Sequence, residues 1–171
     1  FAAERRDEPN PLDAWVRRRL SPVAGRFGAR LAMPNDGPPY HPFQRWAMRA
    51  EAVHPSPLGL LIHPEFGLWH AYRAALMFTG PIDLPDRSET ASPCADCAAR
   101  PCLSACPVGA FDATGYDVAA CRTHVAGPHG TACHSGGCLA RHACPIGRDY
   151  AYGPDQQAFH KAAFLPGAST L

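Results

Sequence analysis

Residues 94–107 read CADCAARPCLSACP, that is Cys94-x2-Cys97-x4-Cys102-x3-Cys106-Pro107. A tight C-x-x-C loop turns two sulfurs inward, and backbone N–H groups converge on the same point. The next cysteine closes a third corner. The last one, on a short helical turn, faces away and can serve a different centre. Pro107 stiffens the exit and, lacking an N–H, leaves no orphan donor. A second group is looser: Cys121, then Cys133-x4-Cys138-x5-Cys144-Pro145. Each half closes with Cys-Pro, a β-branched residue and glycine, Val108-Gly109 in one and Ile146-Gly147 in the other. That is an internal repeat.

All eight cysteines lie between positions 94 and 144 of a 171-residue chain. Their confinement and tight spacing favour metal over a disulfide framework. In two-cluster ferredoxins the fourth cysteine of each run ligates the other cluster. Eight thiolates at four per cubane give two [4Fe–4S] clusters with none left over. By the crossed rule cluster I takes Cys94, Cys97, Cys102 and Cys144. Cluster II takes Cys106, Cys121, Cys133 and Cys138, with looser individual assignments because the second spacing is irregular. Zinc is the competitor, since eight cysteines also suffice for two four-thiolate zinc ions in a metal-stabilised binding module. Zinc ribbons usually pair two C-x-x-C knuckles, and this chain has one. His124, His129, His134 and His142 sit among the cysteines but are not needed for the ligand count, so surface or supporting roles are assigned to them. Arg100, Arg122 and Arg141 are read as hydrogen-bond donors near the sulfurs or as solvated cations.

Outward from the cysteines, composition excludes several classes. Apolar residues make up 46% of the chain, enough for a real core and against wholesale disorder. The net charge is +1, with 15 Arg and a single Lys, Lys161. The basic run Arg17-Arg18-Arg19 reads as the wet face of a helix, and no nucleic-acid partner is expected. No stretch reaches the ~18 uncharged apolar residues of a membrane span. The nearest, Leu58 to Phe78, is broken by His63, Glu65, His70 and Arg73. With no signal-peptide pattern either, a cytoplasmic location is expected. There is no Gly-rich phosphate loop, no G-x-S-x-G, and no H-x-x-x-H pair with an adjacent Glu, so no residue set for activating a substrate stands out.

The expected organisation is an N-terminal helical, Pro-rich extension over 1–57, a strand, helix and linker over 58–87, a dicluster domain over 88–153 and a C-terminal helix and tail over 154–171. Asn10-Pro11 looks like an N-cap followed by proline at the first helical position, with Leu12, Trp15, Val16 and Leu20 at helical spacing. Phe43, Trp46, Ala47 and Ala50 share a second helical face. Leu58–His63 reads as a short buried strand. Pro64 and Glu65 then open a helix of about fifteen residues with Leu68, Trp69, Tyr72, Leu76 and Met77 on its apolar side, stopped by Gly80-Pro81. His63 and His70 are taken as structural. A last helix runs around Pro154–Leu165, with Asp155 near its start and Phe159, Ala162 and Ala163 within it. The fold class is α+β, mostly helix and loop, with a two-cluster ferredoxin-like domain.

The first cysteine run, with Pro101 just before Cys102, resembles the cluster-binding runs of bacterial ferredoxin-like iron–sulfur subunits such as those of dimethyl sulfoxide reductase-type complexes. The overall order is more similar to the C-terminal half of epoxyqueuosine reductase and reductive dehalogenases. There a strand (here LGLLIH) and an apolar segment precede the first run, an isolated cysteine follows, and a last group ends in Cys-Pro. The similarity spans roughly residues 58–148 and rests mainly on the cysteines. It implies a low-potential electron relay into a corrinoid site. Two departures limit it: the C-x4-C-x5-C-P spacing is wider than in the family, and fewer than about 95 residues precede Cys94, too few for a cobalamin domain. The ligands carry over; the catalysis does not.

The expected function is therefore electron transfer through two [4Fe–4S] clusters, as a carrier or subunit serving a redox partner protein rather than as a self-contained enzyme. The alternative is a reductase or reductase fragment whose corrinoid or flavin is bound by residues 1–90 or by a partner.

Overall fold

In a computed structural model the protein is described over residues 1–84, 86, 90–112 and 115–165. The elements are α1 (Pro11–Arg26), β1 (Arg30–Ala32), α2 (Phe43–Ala50), β2 (His54–Pro55), β3 (Leu61–Ile62), β4 (Ala75–Met77), α3 (Pro101–Ser104), β5 (Phe111–Asp112), β6 (Gly115–Tyr116), α4 (Val118–Ala126), α5 (Thr131–Gly136), α6 (Leu139–His142) and α7 (Pro154–Phe164), with short 3-10 turns at Ala2–Glu4 and Arg148–Tyr150. The strands form three two-stranded antiparallel sheets, β1–β4, β2–β3 and β5–β6. The class is α+β, built mainly of helix and loop.

The chain folds as two compact units that interleave along the sequence. One holds Phe1–Glu51 and the segment beginning at Ala71. The other holds Ala52–His70 and the cysteine-bearing stretch that follows the linker. The consecutive segments read from the sequence cut across this arrangement, because each unit takes a piece of the chain from beyond the other.

In the first unit α1 begins at Pro11, whose ring pre-sets the helical φ and whose missing N–H costs nothing there. Asn10 precedes it in the left-handed region (φ 50°), and its side chain makes no capping bond, so the expected Asn cap is not formed. Val16 and Ala24 are buried. The three consecutive arginines are spent on carboxylates: Arg17 on Asp36 at 2.5 Å, Arg18 on Glu8 at 2.6 Å, Arg19 on Glu4 at 2.9 Å. Asp36 also accepts the Met33 N–H at 2.9 Å, and that bond, ahead of Arg17, holds its carboxyl below the usual range.

The helix expected from Pro64 onward is absent. The His63 imidazole Nδ1 accepts the N–H groups of Glu65 (3.0 Å) and Phe66 (3.1 Å), as a helix cap does, but the turn so started goes no further. Gly67 takes φ +56° and closes a bridge back to His63, with N–H···O=C distances of 2.8 and 2.9 Å. Downstream, Ala75–Met77 pairs with Arg30–Ala32, so Leu76 faces Leu31 as a strand residue. The apolar spacing fits a helix locally, and a partner some forty-five residues upstream overrides it. The Leu58–His63 strand shrinks to Leu61–Ile62, paired with His54–Pro55.

The second unit has one core. Leu58, Ile62, Leu68, Ala140 and Cys144 are buried together, with Leu103, Phe111, Ile146 and four further cysteines packed against them. The 54–70 hairpin and turn therefore form the floor under the cysteines. The C-terminal helix is present as α7, with Pro154 at its first position and Asp155 in its first turn.

Candidate metal centre

The two Cys-Pro endings are structurally equivalent. Cys106 follows α3 and Cys144 follows α6; these short helices pack on each other. Both endings leave through a glycine in the left-handed region, Gly109 at φ 57° and Gly147 at φ 70°. The repeat seen in the sequence is thus a repeat of backbone path.

Cys94, Cys97, Cys102 and Cys144 line one small enclosed space, walled by Ile62, Ile146 and four prolines including Pro101 and Pro145. Arg100 lines it too, the one cation there. Cys94 and Cys97 come from a turn, Cys102 from α3 and Cys144 from the end of α6. Burial pushes the Cys94 thiol up from its ordinary value, and the neighbouring Cys144, Cys102 and Cys97 push it the same way. Cys102 is raised likewise, first by burial and then by Cys144 and Cys97, against the Leu103 N–H directed at its sulfur. Four thiols that feel one another electrostatically are four thiols at one place. The free space between them is about 20 Å³, room for one water-sized body. A cubane there requires the four side chains to rotate outward.

A second gathering surrounds Tyr116 on β6. Its hydroxyl is pushed above its ordinary value first by burial, then by a hydrogen bond to Cys121, with Cys138 and Cys106 acting in the same sense. Cys121 lies on α4, whose N-terminus is capped by Asp117 Oδ1 accepting the Ala120 N–H at 2.9 Å. Cys106 Sγ accepts the Ala110 N–H at 3.3 Å. Cys138 is the residue before α6. Burial raises its thiol, while the Arg141 and Ala140 N–H groups and Lys161 favour the ionised form; neither N–H closes a full capping bond. Cys133 is buried on α5, which packs against both α4 and α6. Among the described residues no three Cys, His, Asp or Glu side chains converge tightly enough to grip a single ion.

Of the histidines among the cysteines, His142 is engaged elsewhere: its Nε2 meets the Gly136 carbonyl (3.1 Å) and Gln157 Oε1 (2.8 Å). His70 Nδ1 meets the Gly67 carbonyl at 3.1 Å. Arg122 Nε donates to the Phe164 carbonyl at 3.1 Å, and Arg141 to the Leu68 carbonyl, rather than to sulfur. Tyr116 is the member of the site that the sequence did not announce. Its only signal is the stacking partner Phe111 across a four-residue hairpin, centroids 4.6 Å apart.

The raised thiols fix a pH dependence for the metal-free, reduced chain. Cys94, Cys102 and Cys138 ionise in the folded state above the ordinary 9.0. As pH passes that value the unfolded chain loses those protons first, so it binds fewer than the folded chain and stability falls. Tyr116 adds to the same slope at still higher pH. The metal-free protein is expected to melt lower at pH 10 than at pH 7.5; an equal or higher melting temperature would contradict the burial described here.

No protein family's sequence profile matches the chain, and no curated protein or solved structure matches it.

Proposed function

We propose that the protein is an electron carrier, or the electron-transfer subunit of a larger assembly, holding two [4Fe–4S] clusters in a two-cluster ferredoxin-like domain. The carrying observation is the meeting of Cys94, Cys97 and Cys102 with Cys144 around one space. Cys106, nearer in sequence to that trio, instead belongs with Cys121 and Cys138 around Tyr116. That exchange of the last cysteine between halves is the arrangement a crossed dicluster requires. Cys133 completes the second set by count. When bound, the clusters supply reversible one-electron chemistry.

The chain's own residues do the rest. The prolines and Ile62 exclude water from the first thiol set, Arg100 offsets its negative charge, and the Leu103 N–H is aimed at Cys102. At the second set the Ala110, Ala140 and Arg141 N–H groups play that part. Such donors and burial are the levers by which a protein sets a cluster's potential. The electrons come from and go to redox partner proteins.

Protein purified without oxygen is expected to be brown, to contain about eight irons and eight acid-labile sulfides per chain, and to give an EPR signal of reduced cubanes on dithionite addition. Colourless protein with about two zinc ions per chain would replace this reading with the zinc-stabilised module.

A further inference from the structure

Beside the second thiol set, and sharing Tyr116 and Cys138 with it, lies a cleft of about 290 Å³. Its size is at the lower end for small-molecule sites. Trp69, Phe111, Tyr116, Tyr152 and Phe164 supply aromatic walls, and Cys138 forms part of its edge. The walls are held in place from behind. Trp69 and Tyr152 meet edge to face at 5.4 Å between centroids. Gln157, buried at one side, donates to the Tyr152 carbonyl at 2.5 Å and accepts from His142 at 2.8 Å, so its amide is spent on the protein.

Two cations face this aromatic cleft, Arg141 and Lys161. The Arg141 guanidinium lies over Trp69 at 4.2 Å and Tyr152 at 4.6 Å, with Nε donating to the Leu68 carbonyl at 3.0 Å and Nη2 to the same oxygen. A guanidinium carries five N–H donors, so donors remain on its Nη1 side. Lys161 Nζ lies over the Phe164 ring at 5.2 Å. Among the described residues no carboxylate pairs with either cation. Flat aromatic walls bury a planar ring, and two uncompensated cations at their margin select a negative charge.

We infer that this cleft is a binding site for a planar aromatic anion, a fused-ring molecule bearing a sulfonate, carboxylate or phosphate group. The ring lies along the cleft beside Arg141, which itself occupies the space between Trp69 and Tyr152, and its anionic group meets Arg141 and Lys161. A molecule so placed rests against Cys138, next to the proposed second cluster. The inference goes beyond the cluster reading, and binding does not depend on which metal the thiols hold. The competing account is that Arg141 and Lys161 only offset the negative charge of that cluster.

Anthraquinone-2-sulfonate is a probe of suitable size and charge, and proflavine is a planar cation of similar size. Isothermal titration of the full chain, purified without oxygen, oxidised and with its metal content measured, is expected to show one saturable site for the sulfonate and none for proflavine. Lys161→Gln is expected to weaken the sulfonate about tenfold, the equivalent of one charge-assisted hydrogen bond. Leu60, 41% exposed on the rim, offers a second variant that leaves the core intact. Leu60→Glu is expected to weaken the sulfonate at least as much. Equal binding of the two dyes, or a sulfonate affinity unchanged in both variants, would overturn the inference. So would a Lys161→Gln variant that shifts the reduction potential while leaving the sulfonate affinity unchanged, since the cations then serve the cluster alone. The iron count, read separately, reports on the cluster assignment.

Discussion

Cys102→Ser and Cys144→Ser are each expected to remove about four of eight irons, and the double variant no more than either alone. The two positions belong to different cysteine groups, and a sequential scheme, in which each group fills its own centre, predicts two different losses and additive damage. The structure places both thiols on one space with Cys94 and Cys97. Cys106→Ser is the control, because Cys106 sits with Cys121 and Cys138 around Tyr116 and its loss is expected to spare the first centre. EPR of the reduced variants reads the distinction: Cys102→Ser and Cys144→Ser should leave the same residual signal, and Cys106→Ser a different one. Metal–thiolate bonds contribute folding free energy, and Cys144 is also part of the buried core, so a drop in melting temperature of about 10 °C or more is expected for Cys144→Ser. If Cys106→Ser and Cys102→Ser abolished the same signal, the crossed arrangement would be lost.

The meeting of Cys94, Cys97 and Cys102 with Cys144 around one space agrees with the crossed grouping read from the sequence. The C-x2-C-x4-C spacing folds its own loop, and the repeated Cys-Pro-x-Gly ending gives the same backbone turn in both halves, with Gly109 and Gly147 left-handed. Helix α1 was legible through proline at its first position, α7 through Asp155 near its start and the apolar residues within it, and α2 through its apolar face. Cys133 was harder to place because, although its x4 spacing to Cys138 matches that of Cys97 to Cys102, no C-x-x-C partner precedes it. It is buried on α5, and its membership of the second set rests on count.

The segment after Pro64 was misread for an opposite reason. Its apolar period is real, but Gly67, at φ +56°, turns the chain back onto His63, and Ala75–Met77 pairs as a strand with Arg30–Ala32. Neither fact is visible in a window of fifteen residues. The aromatic cleft was equally hidden, since its walls come from the 58–70 segment, the β5–β6 hairpin, α6, the turn after it and α7. Arg141 carries no motif; only folding sets it between Trp69 and Tyr152.

Gly147→Ala is expected to cost several kilocalories per mole, and Gly109→Ala much less, although the two glycines are equivalent in the repeat. Both hold φ in the left-handed region, where any β-carbon costs about 1–2 kcal/mol. At Gly109 nothing lies within 4 Å of the added carbon, so that conformational cost is the whole effect. At Gly147 the added carbon would stand 2.3 Å from the Phe66 carbonyl carbon and 2.5 Å from the Gly67 nitrogen. Gly67 faces the same problem in reverse, with its β-carbon 2.0 Å from the Ile146 oxygen. The two backbones therefore cross with no room for a side chain, and this crossing locks the 63–67 turn onto the Cys144-Pro145-Ile146-Gly147 ending. An alanine on either side must push them apart, moving Cys144 with Ile146. At roughly 2–4 °C per kcal/mol, Gly147→Ala is expected to melt about 10 °C below the native chain and Gly109→Ala about 4 °C below it. Once one alanine has separated the strands the second finds space, so Gly67→Ala/Gly147→Ala is expected to cost less than the sum of its parts. Equal melting temperatures for the Gly109 and Gly147 variants, or strict additivity in the double variant, would show that the crossing does not hold the site together.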